Sequence, residues 1–133
     1  MNATTTAPFA KPTSRISSVL TWVLRILVAG VFLSGAIMKF SGLPTMIAEF
    51  QQIGLGDWFR YFTGALELAG SVAVLLPAIS AVGAMLLLVV DAGAFIAQVE
   101  ILHQDWIHTI VIGTLLTVLI HRQRAQIRRR VVA

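Results

Sequence analysis

The chain has 133 residues, of which 57% are apolar and only 12% are charged, and its mean hydropathy is +0.86. Soluble globular domains carry about 25% charged and 45 to 50% apolar residues, so this composition excludes most of them and indicates an integral membrane protein. The chain contains no cysteine, which excludes disulfides, thiolate nucleophiles and cysteine-bound iron–sulfur clusters. Any redox chemistry therefore has to be supplied by a partner or a bound cofactor.

Four apolar segments, each close to the thickness of a membrane, predict four transmembrane helices. They cover residues 18–38, 58–76, 79–102 and 106–120. The links after the second and third segments are so short that these helices have to be antiparallel neighbours. The sequence therefore predicts an all-α fold, a transmembrane antiparallel four-helix bundle that spans residues 18–121.

The longer link between the first two spans has the pattern of a short amphipathic helix. Pro44 suits the first position of a helix, and Gly54 suits the position after its end. Between them Met46, Ile47, Phe50 and Ile53 fall on one face. We expect a helix that lies at the membrane interface, either as a simple cover or as a gate for a ligand.

The charges outside the spans predict the orientation. The tails carry seven basic residues and no acidic one, namely Lys11, Arg15, Arg122, Arg124, Arg128, Arg129 and Arg130. The opposite side has four acidic residues, Glu49, Asp57, Glu100 and Asp105, against Lys39 and Arg60. The positive-inside rule then predicts a multi-pass protein of the plasma (inner) membrane with both termini in the cytoplasm. The first span is not expected to be a cleaved signal peptide, because Arg25 interrupts its apolar run.

The two tails have different compositions. Residues 1–17 are rich in Thr, Ala, Ser and Pro, which predicts a disordered cytoplasmic tail. Residues 122–133 form a basic cytoplasmic tail. Next to a membrane such a tail is attracted to anionic lipid head groups, and we favour this interpretation over nucleic acid binding.

Charged residues inside the spans predict a buried polar seam, which we define as Arg25, Lys39, Glu67 and Asp91. Ionisable groups at such depth are costly and face the interior of the bundle. Estimated depths place Arg25 and Glu67 about 5 Å apart along the membrane normal, so we expect a bidentate ion pair between them and a protonated Asp91 at neutral pH. The seam is either a proton relay or ligand site, or a structural network that fixes helix register.

Small and aromatic residues complete the set of candidates. Four glycines on the inward stripes, Gly35, Gly64, Gly70 and Gly113, predict close helix contacts. Seven aromatic residues near the outer leaflet could line a flat pocket for a quinone or lipid, or form a lipid-facing belt, namely Phe32, Phe40, Phe50, Trp58, Phe59, Tyr61 and Phe62. The three histidines do not follow a metal-binding pattern, so no metal site is expected.

Three parts of this pattern resemble the DoxX-like family of small four-span membrane proteins over roughly residues 23–121. They are Arg25, Gly35, Lys39 and Phe40 in the first span, the run GALELAG around Glu67, and the turn LLP that ends at Pro77. The resemblance implies that Arg25, Gly35, Lys39, Glu67 and Gly70 are the characteristic positions. It also implies a link to thiosulfate:quinone oxidoreductases and to membrane complexes of oxidative-stress enzymes.

Three functional hypotheses follow. The first, which we favour, is an anchor or small subunit that docks a quinone-linked redox partner. Under this hypothesis the chain is not a stand-alone enzyme, and quinone is the one cofactor to consider. The second is a proton-coupled carrier of small molecules that uses Asp91 and Glu67. The third is an enzyme that acts alone on quinone or lipid. A homo-oligomer is compatible with each of them.

Overall fold

The computed structural model describes residues 15–125 and 127–128, and this part of the chain is helical and contains no strand. The helices are α1 (Arg15–Phe40), α2 (Pro44–Ile53), α3 (Asp57–Leu75), α4 (Ser80–Ile96), its π-helical continuation (Ala97–Leu102), and α5 (Ile107–Arg122). The all-α class is confirmed, and each of the four segments predicted as spans corresponds to one helix to within three residues at either end.

The predicted tails fall largely outside the described residues. Of the predicted disordered tail 1–17, only residues 15–17 are described, and they form the first turn of α1. Of the basic tail 122–133, the structure describes residues 122–125 and 127–128.

Local sequence signals explain where several helices begin and end. Pro44 occupies the first position of α2, and Gly54 ends that helix with φ = 83°, a left-handed conformation in which its N–H donates to the carbonyl of Phe50. Asp57 lies in the first turn of α3, where a carboxylate interacts favourably with the helix dipole. His103 ends the π-helical segment with φ = 50°. The carboxylate of Asp105 accepts from the N–H of Ile107 at the start of α5.

The four longer helices contact one another in the order α1, α3, α4, α5, and α5 returns to contact α1. Their shared core contains Phe32 of α1, Val74 of α3, Leu87 of α4 and Leu116 of α5. The outward faces are apolar as well, since large side chains such as Val89 remain 70% exposed. An apolar core beneath an apolar exterior is the distribution expected of helices surrounded by lipid.

In the part of the chain that the structure describes, two helices are long and apolar enough to cross a membrane. They are α1, with 26 residues, and the continuous helix Ser80–Leu102, with 23. Helix α5 is apolar but shorter, with 16 residues, and α3 carries Asp57, Arg60 and Glu67 within its 19 residues.

Hydrogen bonds donated by the side chains of Arg122 and Gln123 hold the two ends of the described chain together. Arg122 donates from Nε to Thr21 Oγ1 at 3.0 Å and from Nη2 to the Ser17 carbonyl at 2.7 Å. Beside them, Gln123 Nε2 donates to Ser80 Oγ at 2.8 Å. The start of α1, the turn before α4 and the end of α5 therefore lie at one end of the molecule.

Candidate functional site

An ion pair between α1 and α3 is the centre of the candidate site. Lys39 Nζ donates to both Oε1 and Oε2 of Glu67 at 3.0 Å each. The two side chains are 15% and 10% exposed, so little solvent screens the interaction. A buried carboxylate is tolerated when it is paired and hydrogen-bonded in this way.

Two of the predicted glycines make room for this pair. A Cβ atom at Gly35 would lie 3.2 Å from Glu67 Oε2, and one at Gly64 would lie 3.3 Å from Lys39 Cβ. Real Cβ contacts are rarely this short, so a larger residue at either position would push against the pair. The two glycines thus let α1 and α3 approach closely on both sides of the ion pair.

The predicted pair between Arg25 and Glu67 is wrong. Gly35 lies opposite Glu67, and Arg25 precedes Gly35 by ten residues in α1, which corresponds to about 15 Å along the helix. The estimated depths of Arg25 and Glu67 were wrong because α1 is seven residues longer than α3. The N-terminal end of α1 therefore extends past α3. Arg25 instead places its guanidinium 4.8 Å from the centre of the Trp22 ring, and its Nε is buried without a hydrogen-bond partner.

Arg60 has a structural role that the sequence did not reveal. Its side chain is buried, its Nη1 donates to the carbonyl of Lys39, and its guanidinium lies 4.4 Å from the centre of the Tyr61 ring. Asp57 Oδ1 is 3.8 Å from its Nη2. Arg60 thereby satisfies a carbonyl at the C-terminal end of α1 and fixes the backbone of the residue that pairs with Glu67.

An apolar pocket of about 400 Å³ opens beside the ion pair, between α2, α3 and the C-terminal half of α4. Its walls are aliphatic and aromatic apart from Thr63, Lys39 and Glu67. The size lies within the range of ligand sites in proteins, about 300 to 1,000 Å³. The ion pair is therefore the polar group best placed to orient a ligand in this pocket.

The aromatic residues predicted to line a pocket lie in different places. Phe50, Phe59 and Phe62 line the pocket beside the ion pair. Phe32 belongs to the core, Phe40 stacks on Tyr61, and Trp58, which is 62% exposed, contacts Phe62 from outside.

Other residues that line this pocket were not predicted from the sequence, among them Leu66 and Gly93. The spacing of Phe59, Phe62 and Leu66 at three and four residues places them on one face of α3 and could have revealed Leu66. Gly93 had no such signal, because its role depends on the arrangement of α4 against α3.

Asp91 lies apart from this pocket. It is buried on α4 and faces α5, where a Cβ atom at Gly113 would lie 2.9 Å from its Oδ2. It lines a separate groove between α4 and α5, whereas Lys39 and Glu67 line the pocket between α2, α3 and α4. The predicted single seam is therefore divided, with Arg25 near the start of α1, Lys39 and Glu67 together, and Asp91 at another interface.

Helices α3 and α4 meet through two glycines. A Cβ atom at Gly70 would overlap Leu87 Cδ2, and one at Gly83 would lie 2.7 Å from the backbone nitrogen of Val74. Gly70 was among the predicted contact residues, and Gly83 was not. Both let the helix that carries Glu67 lie directly against the helix that forms the far wall of the pocket.

The histidines lie near the turn between α4 and α5 or at the end of α5. His108 Nε2 lies 3.2 Å from Gln98 Nε2, and His103 is exposed at the end of the π-helical segment. Within residues 15–125 and 127–128, no group of three or more His, Asp or Glu side chains could hold a metal ion.

Comparison with known protein families identifies the class of this molecule. Residues 23–121 match the DoxX-like family, and the chain belongs to that family. The match includes the ion pair, its flanking glycines and the turn before α4. Together with the two long apolar helices, the family membership indicates a membrane protein. Searches of curated proteins and of solved structures found no match.

Proposed function

We propose that the protein crosses the membrane four times, with both termini in the cytoplasm. The contacts among α1, α3, α4 and α5 and the hydrogen bonds that hold the start of α1 beside the end of α5 support this topology. The excess of basic residues in the tails supports the orientation. Helix α2 and the ion pair then lie toward the outer leaflet.

We further propose that the pocket beside the Lys39–Glu67 pair binds a quinone-type molecule, an apolar compound with a flat ring and carbonyl oxygens. The observation that carries this proposal is the placement of one ammonium group at the wall of an apolar, aromatic pocket. An ammonium has three N–H donors, and Glu67 accepts two of them. The third can donate to a quinone carbonyl while Phe59 and Phe62 contact the ring.

The role that follows is that of a subunit that holds quinone for a redox partner. The chain has no cysteine with which to carry electrons, and the pocket supplies binding and orientation. We favour this role over the proton-coupled carrier, because that hypothesis needs Asp91 and Glu67 on one route and they line separate cavities.

Filling the pocket tests the binding proposal. Gly93 lines the pocket, and a Cβ atom there would meet nothing within 4 Å, so we expect the side chain of Gly93→Leu to fit there and to reduce the volume of the pocket. Gly30 on α1 has the same open surroundings, and Gly30→Leu is the matched control. Both substitutions also raise helix propensity.

The measurement is quenching of Trp58 fluorescence by decylubiquinone in detergent micelles. The other tryptophans are removed as Trp22→Phe and Trp106→Phe, and Trp58 reports on the pocket because it contacts Phe59 and Phe62. We expect saturable quenching, at least tenfold weaker in the Gly93→Leu protein and unchanged in the Gly30→Leu protein. Quenching that never saturates and is equal in all three proteins would mean that quinone only partitions into the micelle.

Purification from native membranes in mild detergent tests the subunit role. We expect an oxidoreductase to co-purify with the tagged protein. Its rate of quinone reduction should fall when the tagged protein carries Gly93→Leu and should not change when it carries Gly30→Leu. Recovery of the protein without any oxidoreductase would argue against a docking role while leaving the binding result intact.

A further inference from the structure

The groove between α4 and α5 contains a buried acid that the proposed quinone pocket does not use. The groove has a volume of about 500 Å³, and its lining includes Leu88, Asp91, Ala92, Thr109, Thr114 and Thr117. Asp91 is only 6% exposed, and its carboxylate makes no hydrogen bond or ion pair within residues 15–125 and 127–128. A carboxyl group in such surroundings either holds a proton or meets a cation.

The hydroxyl groups of the groove are arranged to accept hydrogen bonds. Thr114 Oγ1 donates to the Ile110 carbonyl and Thr117 Oγ1 to the Gly113 carbonyl, each at 2.7 Å. Thr109 Oγ1 donates to the Trp106 carbonyl at 2.6 Å. Each hydroxyl has one hydrogen, so these three oxygens offer only lone pairs to a ligand. With Asp91, the polar side chains that line the groove are all acceptors.

We propose that this groove binds a protonated amine that carries an apolar body, with the ammonium group directed at Asp91. A bare metal ion would leave most of the groove empty, and an anion would meet only acceptors. His108 interacts electrostatically with Asp91 and is itself hydrogen-bonded to Gln98. This site is separate from the quinone pocket and does not depend on it.

A series of probes that differ only in their head group tests the charge preference on the unaltered protein. Dodecylamine, 1-dodecanol and dodecanoate are added to the full chain in detergent, and bound molecules are counted by native mass spectrometry. We expect one dodecylamine to bind, at least tenfold more tightly than 1-dodecanol, and dodecanoate to bind most weakly. Equal binding of the amine and the alcohol would overturn the proposal.

Substitutions test the location. Asp91→Asn removes the charge at nearly constant shape, and Glu100→Gln removes the charge of an exposed acid that does not line the groove. We expect at least a tenfold loss of dodecylamine affinity in the first protein and none in the second. A charge-assisted hydrogen bond of ordinary strength accounts for a loss of this size.

A third variant keeps the acid and fills the groove. Ala92 is exposed and lines the groove, so Ala92→Phe occupies the space while Asp91 remains. We expect this protein to unfold at the wild-type temperature and to lose dodecylamine binding. Wild-type affinity in both the Asp91→Asn and the Ala92→Phe proteins would overturn the proposed site, and decylubiquinone binding to the same proteins is expected to stay unchanged.

Discussion

Lys39 and Glu67 belong to different helices, and each neutralises the other where little water is present. The carboxylate has Gly35 on one side, and the backbone of Lys39 is held by Arg60. Removing one member of such a pair leaves a buried charge without a partner. Replacing both members with apolar residues leaves no buried charge that needs a partner. This difference gives a test of the pair that is independent of any ligand.

We predict that Lys39→Met destabilises the protein by about 3 to 5 kcal/mol, because Glu67 then remains buried and unpaired. The double variant Lys39→Met with Glu67→Leu is predicted to recover wild-type stability or exceed it. Thermal unfolding in detergent micelles, followed by circular dichroism, measures both effects. If the single variant unfolds at the wild-type temperature, the pair does not lie in a low-dielectric environment.

At the scale of helices, α3 and α4, which both line the pocket, contact each other through two glycines. Gly83 faces the backbone of Val74, which is fixed within α3, whereas Gly70 faces the side chain of Leu87. A side chain can adjust to an added methyl group more easily than a backbone can. The two positions should therefore respond differently to the same substitution.

We predict that Gly83→Ala destabilises the protein by more than about 3 kcal/mol, the upper end of typical overpacking costs. Gly70→Ala is predicted to cost about 1 to 3 kcal/mol. Gly30→Ala is the control, and it should stabilise the protein by about 0.5 to 1 kcal/mol because its surroundings are open. Equal effects of the three substitutions on the unfolding temperature would contradict the close approach of α3 and α4.

The elements could be predicted from the sequence more fully than the contacts between them. Hydropathy located the four long helices, and Pro44 and Gly54 marked the ends of α2 because these residues have strong backbone preferences. The partner of Glu67 could not be predicted, since it depends on how far α1 slides past α3. The groove at Asp91 likewise depends on the contact with Gly113, which sequence spacing along α4 does not encode.

At the scale of the whole molecule, the two ends differ in character. One end brings together the start of α1, Ser80 and the end of α5 through Arg122 and Gln123. The other end has α2 against the π-helical segment, where Gln52 Nε2 donates to the Ile101 carbonyl at 3.3 Å. In the proposed topology the first end is cytoplasmic.

Because the chain has no cysteine, single cysteines can report the topology without background labelling. Gln104 and Ala125 are both exposed and lie toward opposite ends. We predict that a membrane-impermeant maleimide labels Gln104→Cys on intact cells and labels Ala125→Cys only after permeabilisation. The reverse pattern would contradict the orientation, and labelling of both on intact cells would contradict a crossing of the membrane by α5.

Photolabelling with an azidoquinone, mapped by peptide mass spectrometry, tests quinone binding at the ion pair most directly. Binding in the pocket predicts labels confined to its walls, at Phe50 and Ile53 of α2, between Phe59 and Leu66 of α3, and between Val89 and Ala97, and excess unlabelled quinone should remove these labels. The same labels should disappear in the Gly93→Leu protein and persist in the Gly30→Leu protein. Labels spread over the lipid-facing side of α1, or unchanged by Gly93→Leu, would contradict the account.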